Sequence, residues 1–104
     1  MSKSISVLQA AELQKNGATL VDVRELAEFL EVSAPGAINI PLSLIQKIGN
    51  DAYRNQGIDP NTEGLLVICR SGGRSGMACG QLGDNAINVE GGMLAWQTAG
   101  LPVN

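Results

Sequence analysis

The run Leu65-Leu66-Val67-Ile68 constrains the fold most. Four successive apolar residues stop at Cys69-Arg70-Ser71-Gly72-Gly73. An amphipathic helix would space its apolar positions three and four apart, and a half-exposed strand would alternate them. A short unbroken run bounded by turn residues reads as a strand buried on both faces, which requires helices on both sides of a parallel sheet. Shorter apolar runs alternate with helical patterns along the rest of the chain, so an α/β domain with a mainly parallel sheet is expected.

Five strands are read. They are Ile5-Ser6-Val7, Thr19 to Val23, Ala37 to Ile40, Leu65 to Ile68 as the central strand, and Ala86 to Val89. Helices are expected over Leu8–Asn16, stopped by Gly17, and over Glu25–Val32, where Leu26, Phe29 and Leu30 form the apolar stripe. Further helices are expected after Pro41, over Arg74–Leu82 and over Met93–Ala99. The polar stretch from Gly49 to Glu63 reads as surface turns with one helical turn. With 104 residues the chain is read as one domain, 1–104. Only 3% of residues are aromatic, so the core must be aliphatic.

Composition excludes several function classes. A net charge of -3 argues against nucleic-acid binding, which needs a basic surface. No apolar run is long enough to span a bilayer, and Met1-Ser2-Lys3-Ser4 does not open a secretory signal, so a cytoplasmic protein is expected. The chain has no histidine, which removes Cys-His pairs, Ser-His-Asp triads and most zinc sites. Two cysteines, Cys69 and Cys79, do not form a disulfide framework.

The chemistry concentrates at Cys69. Ligands of parallel sheets bind at the carboxyl ends of strands, where Cys69 falls. The loop Arg70-Ser71-Gly72-Gly73 can curl so that successive N–H groups converge, and the next helix adds its N-terminal dipole. A cysteine held there ionises below its reference pKa of about 8.5, and the thiolate is the nucleophile. Two of the seven basic residues, Arg70 and Arg74, flank this loop, so a small anionic substrate is expected. A positive charge at a helix N-terminus opposes the dipole, which for Arg74 favours a functional reason. The competing readings are a buried structural cysteine for Cys69 and a solvated side chain for each arginine. Cys79, mid-helix near Ala78 and Leu82, reads as core packing rather than a second reactive thiol. Asp22, Arg24 and Glu28 read as an ion-pair set holding the site wall. Glu12 and Glu31 read as solvated helix charges, Trp96 as core, and Gly91 and Gly92 as the turn after the last strand.

Three blocks of the chain, in order and suitably spaced, resemble the rhodanese family. The first is Leu20-Val21-Asp22-Val23-Arg24-Glu25 with Glu28-Phe29 and Pro35-Gly36-Ala37-Ile38-Asn39-Ile40-Pro41. The second is Cys69-Arg70-Ser71-Gly72-Gly73-Arg74-Ser75, and the third is Val89-Glu90-Gly91-Gly92-Met93-Leu94-Ala95-Trp96, continuing through Ala99-Gly100-Leu101-Pro102-Val103. The resemblance implies a three-layer α/β/α fold and a thiosulfate sulfurtransferase. Cys69 would be catalytic, and Arg70, Ser71, Gly72, Gly73, Arg74 and Ser75 would bind the substrate. It implies a sulfane-sulfur donor, a Cys69 persulfide, and cyanide or a thiol as acceptor, with glutathione or a thioredoxin-like protein as candidates, and a mechanism that needs no metal and no organic cofactor. Related phosphatases and arsenate reductases of this fold have a cysteine-to-arginine loop one residue longer, so the loop here resembles the sulfurtransferase class. Those enzymes, a persulfide carrier without turnover, and an inert docking module are the alternatives. One departure stands out. Many relatives carry Gly-His-Ile before the Pro-Gly-Ala turn, where this chain has Val32-Ser33-Ala34. The expected consequence is altered packing or an altered rim. The rim itself is expected to be small and uncharged, set by Ser33-Ala34-Pro35 and Leu42 to Gln56.

Overall fold

The computed structural model describes residues 3–104. Met1 and Ser2, the head of the segment read as carrying no targeting signal, lie outside the described residues. In chain order the elements are β1 (Lys3–Ile5), α1 (Val7–Lys15), β2 (Leu20–Asp22), α2 (Leu26–Glu31), β3 (Ile38–Asn39) and α3 (Leu42–Ile48). There follow α4 (Asp51–Arg54), β4 (Leu65–Ile68), α5 (Gly73–Leu82), β5 (Ala86–Val89) and α6 (Gly92–Thr98). The strands form one sheet in the order β1-β5-β4-β2-β3, and every neighbouring pair is parallel. The expected five-stranded three-layer architecture is therefore present, with β4 at its centre. No helix among the described residues is long and apolar enough to cross a membrane.

Strand geometry explains the two cores. Successive side chains of a strand point to opposite faces. Leu65 and Val67 of β4 pack into a cluster with Val21, Ile45, Tyr53, Ala78 and Cys79, beneath α3, α4 and α5. Leu66 and Ile68 face the other way, into a cluster with Val7, Ala10, Met93 and Trp96 from α1 and α6. All four β4 side chains are 0% exposed, the arrangement the unbroken apolar run demands. Trp96 is core as expected, and its indole Nε1–H donates to the Pro102 carbonyl at 2.8 Å.

Three expectations need correction. The first strand ends at Ile5, not Val7. Ser6 instead caps α1: its Oγ accepts from the Gln9 N–H at 3.2 Å, and Gln9 Oε1 accepts from the Ser6 N–H at 3.0 Å. This capping box diverts the chain from strand to helix and turns Val7 inward. The stripe on α2 is not a buried one either. Leu26 is 56% and Leu30 73% exposed, and no side chain of α2 is buried. Polar contacts hold this helix: the Arg24 guanidinium donates to the carbonyls of Glu28 (3.3 Å) and Val32 (2.6 Å). Finally, the polar stretch after Gly49 contains the expected helical turn, α4, but it also buries Ala52, Tyr53 and Ile58.

Candidate active site

The site begins where β4 ends. Cys69 is the first residue after the strand and is 1% exposed. The loop that follows is shaped by α6. The Met93 N–H donates to the Cys69 carbonyl at 2.8 Å, and the Leu94 N–H donates to the Arg70 carbonyl at 3.0 Å. Pinning these two carbonyls on the start of α6 leaves the next N–H groups free to turn back toward the sulfur. The Gly72 N–H donates to Cys69 Sγ at 3.0 Å, with Gly72 in the left-handed region at φ 112°. The Ser75 hydroxyl lies 3.3 Å from Sγ.

The electrostatics follow from these contacts. Burial alone raises the Cys69 thiol's pKa. Hydrogen bonds from the side chain and backbone of Ser75 and from the N–H groups of Gly72 and Ser71 outweigh it, so the thiol ionises below its ordinary value. Among the described residues Cys79 has no such donors. Burial, with the neighbouring Cys69 charge, pushes it up to about 11, as suits the packing role expected of it.

The residues singled out from the sequence occupy different layers of the site. Ser71 and Gly73 are exposed on the loop, and Ser75 is fully buried behind the sulfur. Arg70 is exposed. It lines a cleft of about 310 Å³ together with Arg24, Glu28, Glu31, Met93 and Leu94. This cleft is charged, contrary to the expected uncharged rim, and the Leu42–Gln56 segment takes no part in it. Arg74 is turned toward α2. Its Nη1 and Nη2 donate to Glu28 Oε1 (2.6 Å) and Oε2 (2.9 Å). The positive charge at the N-terminus of α5 thus has a carboxylate partner.

A second ion pair braces the neighbouring strand. Arg24 Nη2 meets Asp22 Oδ2 at 2.7 Å, with both side chains almost fully buried. The expected wall of Asp22, Arg24 and Glu28 is therefore built from two ion pairs, and its second cation is Arg74 of the loop itself. Where relatives carry Gly-His-Ile, Ser33 and Ala34 are buried here, and the Ser33 carbonyl accepts the Asn104 N–H at 2.8 Å.

Two site residues escaped the sequence reading. From its sequence context Gly92 reads only as a turn residue, yet a Cβ there would collide with the Cys69 carbonyl oxygen and lie 2.5 Å from the Arg70 carbonyl. Glycine is what lets α6 approach closely enough to pin the loop. Its place directly after another glycine was the available signal. Asn88 on β5 reads from the sequence only as a strand residue. Its Oδ1 accepts from Ser75 Oγ at 2.5 Å, and its Nδ2 donates to the Gly72 carbonyl at 3.3 Å. A polar residue inside a strand otherwise made of Ala86, Ile87 and Val89 was a weak clue.

Fold and site together define a class: a parallel α/β domain with a low-pKa thiol in an N–H cradle at the end of its central strand. The rhodanese-like domain pattern matches residues 6–99. The chain is 38% identical over 95 residues to the uncharacterized protein slr1261 of Synechocystis, covering 86% of this chain and 48% of that protein. It is 35% identical over 88 residues to a sulfurtransferase of Allochromatium vinosum, covering 81% and 76%. The chain thus spans about half of the first relative and about three quarters of the second. Among solved structures, a rhodanese-related protein from Thermoplasma volcanium superposes with a TM-score of 0.79 at 33% identity, covering 98% of this chain and 97% of that one. The chain belongs to the rhodanese-like domain family, and its relatives support a role in sulfur transfer or sulfur carriage.

Proposed function

We propose that this protein is a thiosulfate-type sulfurtransferase in which Cys69 carries sulfur as a persulfide. The observation that carries the reading is the sulfur's own environment. Cys69 Sγ faces the Gly72 N–H and the Ser75 hydroxyl, and its pKa is lowered despite burial. That cradle stabilises a thiolate before reaction and a persulfide anion after it.

The Cys69 thiolate attacks the outer sulfur of thiosulfate or a related sulfane donor. A sulfur–sulfur bond forms to Cys69, the bond to the sulfite group breaks, and sulfite leaves with the electron pair. Exposed Arg70 and the loop N–H groups from Ser71 to Ser75 bind the anionic donor and its leaving group. In the second step an acceptor thiolate or cyanide attacks the outer sulfur and leaves as a persulfide or thiocyanate. Cys69 returns as thiolate, which makes the cycle covalent and ping-pong. Glutathione or a thioredoxin-like protein fits the thiol role, and a cytoplasmic setting would keep both cysteines reduced. The four-residue spacing between Cys69 and Arg74 supports this reading over a phosphatase or arsenate reductase.

Intact mass after incubation of the reduced protein with thiosulfate tests the first step. Gain of one sulfur atom in the wild type, absent in Cys69→Ser, is expected. No gain, or a gain that survives the substitution, overturns the reading. Turnover with cyanide, glutathione and thioredoxin then separates an enzyme from a carrier, which would load once and release sulfur to none of them.

A further inference from the structure

Ser75 has one hydroxyl proton and three acceptors within reach. Asn88 Oδ1 lies at 2.5 Å, the Gly72 carbonyl at 3.2 Å and Cys69 Sγ at 3.3 Å. A hydroxyl donates to one acceptor at a time, so these groups compete. The orientation of the Asn88 amide is dictated by its surroundings. The Gly72 carbonyl accepts only, so Asn88 turns Nδ2 toward it at 3.3 Å, which leaves Oδ1 facing Ser75. Asn88 therefore reaches one of the donors to the sulfur, the Ser75 hydroxyl, directly, while its Nδ2 is anchored on the Gly72 carbonyl. Its position is stiff, since Asn88 lies on β5 in register with Val67 of the central strand.

We propose that Asn88 is a positioning residue for Cys69, whose side-chain oxygen competes with the sulfur for the single Ser75 proton. When Cys69 is a neutral thiol, the Ser75 hydroxyl donates its proton to Asn88 Oδ1 and a Ser75 lone pair faces the S–H. When Cys69 carries negative charge, the charge-assisted bond to sulfur is the stronger one, and the hydroxyl turns to it. The competition has a chemical use. A thiolate that keeps its donors too tightly is easily formed but poorly nucleophilic, because nucleophilicity falls with pKa. An alternative acceptor for one donor leaves the thiolate ionised yet more reactive.

The charged groups around the sulfur belong to other elements. Arg74 on α5 interacts with Cys69 through its charge and is itself paired with Glu28 of α2. Arg70 stands on the loop, and Asp22 at the end of β2 is paired with Arg24. Cys79 on α5 senses the Cys69 charge. Asn88 makes no hydrogen bond to any of them among the described contacts.

The test is the pH dependence of Cys69 alkylation, read by intact mass between about pH 5 and 9, where buried Cys79 stays protonated. It concerns the free thiol and stands whether or not thiosulfate proves to be the donor. Asn88→Leu removes the competing acceptor, and the Cys69 pKa is expected to fall by about half a unit, or about threefold more thiolate at low pH. Asn88→Asp makes a stronger and charged acceptor, and the pKa is expected to rise by about one unit. In a Ser75→Ala background the effect of Asn88→Leu should vanish. Shifts of the same sign in both variants, no shift in either, or an Asn88→Leu shift that survives Ser75→Ala each overturn the proposal. A residue that only packed the strand would move folding stability without producing opposite shifts.

Discussion

Arg74 and Glu28 face each other as a two-point pair, Nη1 to Oε1 at 2.6 Å and Nη2 to Oε2 at 2.9 Å, tying the first turn of α5 to α2. Forty-six residues of sequence separate them. The pair connects the cradle around Cys69 to a helix that buries no side chain of its own. Much of what holds α2 against the site is therefore electrostatic.

Acid stability reads this pair. The Arg74 hydrogen bond is the largest influence on Glu28 and holds its carboxyl at about 2, below the ordinary 4.5. A group whose pKa is depressed on folding contributes stability above its unfolded pKa and loses that contribution as pH falls through the folded one. The pair's contribution should thus be complete above pH 4.5 and fade toward pH 2. With both side chains about a third exposed, water screens the pair, and it is worth about 1 kcal/mol. Urea unfolding of Glu28→Gln should show a loss of that size at pH 6, shrinking toward zero near pH 2.

Loss of the Ser75 hydroxyl should shift the reactivity of Cys69 upward in pH. Ser75 is the largest of the influences that lower the Cys69 pKa, and removing a donor to an anion disfavours the anion. In Ser75→Ala the midpoint of alkylation against pH should move up by about one unit, with less thiolate at neutral pH. An unchanged midpoint would mean that the N–H groups alone set it.

Gly92→Ala should disable the loop. The new Cβ would meet the Cys69 and Arg70 carbonyls, and the backbone sits at φ +56°, where side chains are strained. Backbone atoms on both sides leave little room to relax. A destabilisation of about 2 kcal/mol or more is expected in urea melts, with loss of persulfide formation. Gly73→Ala, with open space around its Cβ, is the control and should leave stability nearly unchanged.

Cys79→Ala should keep persulfide formation. The side chain is 1% exposed among core residues, and its thiol is held up near 11 by burial. Trimming it to alanine should cost about 1 kcal/mol in packing. Mass spectrometry after thiosulfate treatment should still show one added sulfur. Loss of that sulfur would assign Cys79 a part in the chemistry.

The architecture and the position of the thiol are legible in the chain's local pattern. Unbroken apolar runs such as Leu65–Ile68 are legible because burial on both faces of a sheet leaves a mark on each successive residue. The Cys69–Ser75 loop is legible because its chemistry is contiguous: thiol, glycines and following helix lie side by side in the chain. The remaining features of the site depend on partners distant in sequence. Glu28 meets Arg74, Gly92 makes room for the Cys69 carbonyl, and Asn88 reaches Ser75 and the Gly72 peptide from the next strand. The exposure of Leu26 and Leu30 belongs to the same kind. Helical spacing places apolar residues on one stripe, but whether that stripe meets a core depends on what the rest of the chain packs there, and α2 is held by the Arg24 and Arg74 contacts instead. Local pattern specifies which elements form and which face each residue takes. The direction of a charged or polar side chain is set by where its partner ends up after the sheet has assembled.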